Sequence, residues 1–137
     1  MKNTTPETRS VVVERELAYP PEKIWRALTQ PHLIEEWLLQ NDFKPVLNHK
    51  FNLNASWGKI ECQVLTVEPE KTLTYTWQAD GLESVVKWTL SPSASGTLLR
   101  MEQTGFNPEK QKLAYFGAKS GWPRFFDQLE QLLSQVD

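Results

Sequence analysis

His32, His49 and Cys62 are the side chains that could ligate a transition metal or form a nucleophile and base pair. A structural or catalytic metal needs three or four converging ligands, whereas these three show no zinc spacing and fall on different predicted elements. Cys62 shares strand parity with Ile60 and Val64, which predicts a small buried thiol rather than an activated one. Its neighbours Glu61 and Gln63 then face the other way. His32 follows Pro31 in a helical first turn and His49 sits beside a turn, so both read as surface residues. The carboxylates Glu14, Glu16, Glu35, Glu36, Glu68 and Glu70 lie at exposed parity or in turns, with nothing to raise a pKa for proton transfer. Phosphate-binding glycine loops, nucleotide fingerprints and a serine elbow are missing as well. The expectation is no catalytic residue, no metal and no cofactor, which favours binding over catalysis.

The aromatic residues are the stronger signal. Six Trp, six Phe and three Tyr in 137 residues supply broad, rigid apolar surface, and ligand pockets are built mainly from such surface with a few polar groups. The candidate ligand-binding residues are Trp37, Phe51, Leu53, Trp57, Tyr75, Trp77, Trp88, Met101, Trp122 and Phe126. The Tyr75 hydroxyl and the indole N–H groups could orient a ligand, because a buried donor must find an acceptor. Core packing is the competing explanation at each position.

Positioning these side chains requires a scaffold that the hydrophobic periods outline. Residues 11–17 are β-branched and then alternate, reading as a strand that stops at Tyr19-Pro20-Pro21. Pro21, Ile24, Trp25 and Leu28 predict a short helix broken at Thr29-Gln30-Pro31, and residues 31–38 a second. From Phe43 to Phe106 the period changes to two, predicting strands at 50–57, 59–68, 72–78, 83–91 and 97–105. Their short links imply antiparallel neighbours. Leu73, Tyr75 and Trp77 share one face with Thr72, Thr74 and Thr76 on the other, so the sheet has an aromatic side and a wet side. Lys87, Arg100 and Glu102 fall on the wet side. Ala118, Trp122, Phe125, Leu129, Leu132 and Val136 form a helical apolar stripe. Placing Pro123 in a first turn predicts the main helix at 121–135 with Ser120 as N-cap, after a separate helical piece at 108–117 capped by Asn107. A sheet with one aromatic face and a helix with one apolar stripe must bury each other. The predicted class is α+β, a curved antiparallel sheet of six to seven strands wrapped around a long C-terminal helix, with a tail at 1–10 and one domain at 11–137.

A net charge of −2 with scattered Lys and Arg provides no basic stripe for nucleic acid. No window reaches the roughly eighteen apolar residues of a membrane span. The first ten residues carry neither a signal core nor a transit-peptide face, and a lone cysteine fits a reducing compartment, so a cytoplasmic location is expected.

Tyr19-Pro20-Pro21-Glu22-Lys23-Ile24-Trp25-Arg26-Ala27-Leu28-Thr29, Trp37 shortly after, Gly96-Thr97 opening the last strand, and Gly121-Trp122 followed by Leu129, Leu132 and Leu133 together resemble one family. It is the AHSA-type family, homologous to the activator of the heat-shock-protein-90 ATPase, in the START-like (SRPBCC) helix-grip superfamily. The resemblance covers nearly the whole chain. It implies a strand, two small helices, the rest of the sheet and a long helix enclosing an often hydrophobic cavity. Members of the family include ligand binders, co-chaperones, resistance proteins and occasional cyclase-like enzymes, so fold leaves function open. The expected function is non-catalytic binding of a small hydrophobic, aromatic or lipid-like ligand between sheet and helix. The alternatives are a chaperone-associated or stress-response interaction module, using the outer sheet face or a mouth near Trp37 and Trp57, and a cyclase- or hydrolase-like enzyme. The extra N-terminal domain of the eukaryotic co-chaperone has no counterpart in the sequence, which weighs against a literal chaperone activator.

Overall fold

The change to a period of two after residue 43 is realised as an antiparallel meander, because each link is short enough only for strands that turn back on their neighbours. The computed structural model describes residues 8–136. In chain order the elements are β1 (Arg9–Leu17), α1 (Pro21–Thr29), α2 (Pro31–Trp37), β2 (Gln40–Asn41), β3 (Lys50–Ala55), β4 (Gly58–Glu68), β5 (Thr72–Ala79), β6 (Leu82–Pro92), β7 (Thr97–Phe106) and α3 (Lys112–Leu133). The seven strands form one sheet in the order β1-β7-β6-β5-β4-β3-β2. Apart from β1, which pairs with β7, every strand lies beside its sequence neighbour. Most of the expected tail at 1–10 lies outside the described residues, but Arg9 and Ser10 already belong to β1.

Inner-face residues alternate as the pattern requires: Leu73 and Tyr75 on β5, Val86, Trp88 and Leu90 on β6, and Leu99 and Met101 on β7 are all buried. The stripe of α3, through Trp122, Phe126, Leu129 and Leu133, covers them. Trp88 lies at the centre, edge-on to Trp37 (5.6 Å) and Trp122 (5.7 Å) and stacked on Phe126 (5.7 Å). Helices α1 and α2 pack on each other and on α3. On the wet face Arg100 bonds Glu14 at 3.2 Å and Glu102 at 3.0 Å, half-exposed pairs that contribute little stability. Arg15 ties β1 to α3 through Asp127 (2.7 Å) and Glu130 (3.3 Å).

Three expectations are corrected. Strand β3 ends at Ala55, leaving Trp57 in the β3–β4 turn rather than in a strand. Strand β2, two residues pairing with Leu53 and Asn54, is too short for any sequence period to reveal. The C-terminal helix is one element from Lys112 through Pro123, not two pieces joined at a Ser120 cap. Ser120 is mid-helix, its hydroxyl bonded back to the carbonyls of Phe116 and Gly117 at 3.2 Å each. Proline removes one N–H from the ladder, but burial of Trp122 and Phe126 on either side of it holds the axis together, as tertiary packing rather than propensity decides most helices. Asn107 caps only a turn, its Oδ1 accepting from the N–H groups of Glu109 (2.8 Å) and Lys110 (3.0 Å).

Candidate functional site

The first half of α3 is less buried than the second. Between Lys112–Ala118 and the sheet lies a cavity of about 850 Å³, open on one side. Strand β5 contributes Trp77 and Ala79, the β5–β6 turn Asp80, β6 Leu82, and β7 Gln103 and Phe106. Trp57 reaches in from the β3–β4 turn, while α3 supplies Leu113, Ala114, Gly117, Ala118 and Trp122. The Trp77 and Trp122 rings stand 5.4 Å apart at 57°. Four charged residues also line it, all of them exposed: Asp80 in the β5–β6 turn, Glu109 and Lys110 in the segment before α3, and Lys112 at the start of α3.

Beside this wall runs a short chain of hydrogen bonds. Trp122 Nε1 donates to Gln103 Oε1 at 2.8 Å, Gln103 Nε2 donates to Ser84 Oγ at 2.9 Å, and Ser84 Oγ donates to the Trp77 carbonyl at 2.8 Å. An indole N–H can only donate, so it fixes which end of the Gln103 amide faces which partner. The chain joins β5, β6, β7 and α3 at the cavity.

The ten expected site residues divide into two groups. Trp57, Trp77 and Trp122 line the cavity. Trp37, Phe51, Leu53, Tyr75, Trp88, Met101 and Phe126 lie in the packed interior, each at most 5% exposed. Their polar atoms are satisfied within the protein: Trp37 Nε1 donates to the Ala27 carbonyl at 2.8 Å and Trp88 Nε1 to the Tyr75 hydroxyl at 3.0 Å. Phe51 packs edge-on to Phe43 (5.0 Å) and Tyr75 (5.4 Å). Trp37 and Trp57 therefore do not form a common mouth, since Trp37 is 1% exposed and Trp57 60% exposed.

Most of the lining lies outside the ten expected residues, and two of its buried members, Gln103 and Phe106, are instructive. Gln103 follows Thr97, Leu99 and Met101 at the inward parity of β7 and is 2% exposed; a polar residue on an apolar parity was the available signal. Phe106 has outward parity by counting, yet it is buried. Gly105, at φ 115°, bulges out of the β1–β7 register between Thr104 and Phe106, and one extra residue exchanges the two faces.

Cys62 faces inward as expected, while Glu61 is exposed. Burial pushes the Cys62 thiol and the Tyr75 phenol up from ordinary values of 9.0 and 10.0, with nearby Asp42 adding to the Cys62 shift. Neither residue lines the cavity, and they are the buried titratable side chains among the described residues. A thiol held protonated is a poor nucleophile. Native protein at pH 8 is expected to leave a disulfide-exchange reagent unconsumed over an hour, while denatured protein reacts with one equivalent within seconds. Because both folded values are raised, the unfolded chain ionises first as pH climbs, so stability is full below about pH 9 and declines above it. Denaturant melts from pH 7 to 10.5 should show that decline, shallower in Cys62→Ala. Rapid native labelling would contradict the burial.

Among the described residues no cluster of His, Cys, Asp and Glu is placed to hold a metal, and no helix is long and apolar enough to cross a membrane.

The family described as Activator of Hsp90 ATPase homolog 1-like protein matches residues 18–134. A crystal structure of a Mesorhizobium loti protein is similar at 60% identity and a TM-score of 0.89, over 94% of this chain and 99% of that one. CalU16 from Micromonospora echinospora is similar at 27% identity and a TM-score of 0.78, over 93% and 77% of the two chains. DynU16, a protein in the dynemicin biosynthetic locus, shares the fold at 24% identity and a TM-score of 0.81, over 91% of this chain and 47% of its own. No curated protein matches.

Proposed function

The chain belongs to the Activator of Hsp90 ATPase homolog 1-like protein family, and from that premise we propose that it binds a small apolar, aromatic-bearing ligand in the cavity under the first half of α3, without catalysis. The observation that carries the reading is a volume of about 850 Å³ lined by three tryptophans and Phe106, within the 300–1,000 Å³ usual for ligand sites. The charged groups that line it are exposed, so the occupant is apolar where it meets Trp77 and Trp122 and tolerates polarity only at its outer end. A cyclase- or hydrolase-like role needs a titratable group within reach of the reacting atom; the titratable residues that line the cavity, Asp80, Glu109, Lys110 and Lys112, are exposed, and the buried Cys62 and Tyr75 lie outside it. A cytoplasmic location accompanies this reading.

Titration with 2-acetylnaphthalene, followed by tryptophan fluorescence and thermal shift, tests it. Saturable quenching and a rise in Tm are expected, since a ligand at a hundred times its Kd stabilises by about 2.7 kcal/mol. Ala118→Trp, which fills the cavity from α3, should weaken binding at least about tenfold and keep the far-UV spectrum. Absence of saturable binding across a panel of naphthalenes, flavonoids and fatty acids would sink the proposal.

A second reading, a chaperone-associated or stress-response interaction module, draws support from apolar side chains left in water on and beside the cavity. Leu113 is 87% exposed, Trp57 60% and Phe116 53%, and exposed apolar clusters commonly mark partner sites.

A further inference from the structure

Gln103 is the only amide side chain among the buried polar residues described, and it borders the cavity. Burying an amide is unfavourable unless its groups are bonded, and an apolar residue here would continue the pattern of Leu99 and Met101. A carboxamide has two N–H groups and two acceptor positions. Gln103 commits one acceptor position to Trp122 and one N–H to Ser84, and has no further partner among the described residues. Both committed bonds hold the amide rigidly, because Ser84 is itself fixed by the Trp77 carbonyl. One N–H and one acceptor position remain on a preorganised group beside the aromatic wall.

We infer that Gln103 is the specificity-determining residue of the cavity, selecting neutral aromatic ligands that carry one oxygen acceptor, such as a ketone, over hydrocarbons of the same shape. This rests on the ligand-binding reading above. The free N–H donates to the ligand oxygen while Trp77 and Trp122 contact its aromatic body. Neutrality is expected at Gln103 itself, because the cations that line the cavity, Lys110 and Lys112, are exposed and no Lys or Arg is buried among the described residues, so a carboxylate bonded at Gln103 would lose its hydration without a buried counter-charge. A site built to bond an oxygen rejects the analogue lacking it, since the buried donor is then left unpaired.

The test compares 2-acetylnaphthalene with 2-ethylnaphthalene, nearly equal in shape and differing in the oxygen. Wild-type protein is expected to bind the ketone about tenfold more tightly, the effect of one net hydrogen bond. In Gln103→Met the preference for the ketone over the hydrocarbon should disappear. A readout on the wild type guards against misfolding of that variant: in 15N-resolved NMR spectra, the ketone should move the Gln103 side-chain amide resonances and the hydrocarbon should not. Equal affinity of the two compounds, a preference that survives in Gln103→Met, or unmoved Gln103 amide signals would each overturn the inference while leaving the binding function standing. Failure of both compounds to bind would overturn this inference, and failure of the whole panel of naphthalenes, flavonoids and fatty acids would remove the binding function with it.

Discussion

Trp88→Ala is expected to lower the unfolding free energy by about 4 kcal/mol, the cost typical of truncating a fully buried aromatic in a core that cannot collapse around the void. Trp88 is 0% exposed and touches Trp37, Trp122 and Phe126 at once. It is thereby the point where the sheet, α2 and α3 meet. Removing it empties three ring contacts and strips the Tyr75 hydroxyl of its donor, a further unfavourable step for a buried polar group. Trp88→Phe keeps much of the ring volume and should cost about half as much. Urea denaturation followed by far-UV circular dichroism measures both. A loss below about 1.5 kcal/mol for the alanine variant would mean that the aromatic cluster is not the centre of the core.

Gly96→Ala should cost about 3 kcal/mol although it adds a single methyl group. A Cβ at residue 96 would stand 2.4 Å from the Leu17 carbonyl oxygen and 2.7 Å from the Tyr19 nitrogen. Both are backbone atoms, and they cannot move aside as a side-chain tip can. The segment is held on either side: Leu17 pairs with Thr97, and Thr97 Oγ1 donates to the Tyr19 carbonyl at 2.8 Å. Relief therefore requires parting β1 from β7, the one strand pair joined across the length of the chain. Gly117→Ala is the matched control. It makes the same change inside α3, where a Cβ meets nothing within 4 Å, and should stabilise by up to about 1 kcal/mol because glycine is a poor interior helix residue. Opposite signs in the two thermal melts are the expected result; a stable Gly96→Ala protein would show that the β1–β7 corner is looser than its geometry.

The sequence is most readable where a period is long and uninterrupted. Alternation along Thr72–Ala79 and Leu82–Pro92 carries both the strands and their buried faces, and the parity of Cys62 follows from Ile60 and Val64. The same rule misreads Phe106, because the bulge at Gly105 is a backbone event with no hydrophobic signature. In α3, Ser120 and Pro123 carry strong local signals for a helix start, which the packing of Trp122 and Phe126 overrides.

By itself, then, the sequence determined that an aromatic sheet face and an apolar helical stripe exist and must cover one another, since the pleat and the helical turn dictate which side chains share a face. Tertiary structure alone decided how the aromatics are divided. Trp37 and Trp88 interlock with Phe126 from the second half of α3, while Trp57, Trp77 and Trp122 border open space beside the first half. Period assigns a residue to a face but not to a position along it. Whether that face is filled or hollow depends on the distance between the helix and the sheet at each turn, which only the assembled fold sets.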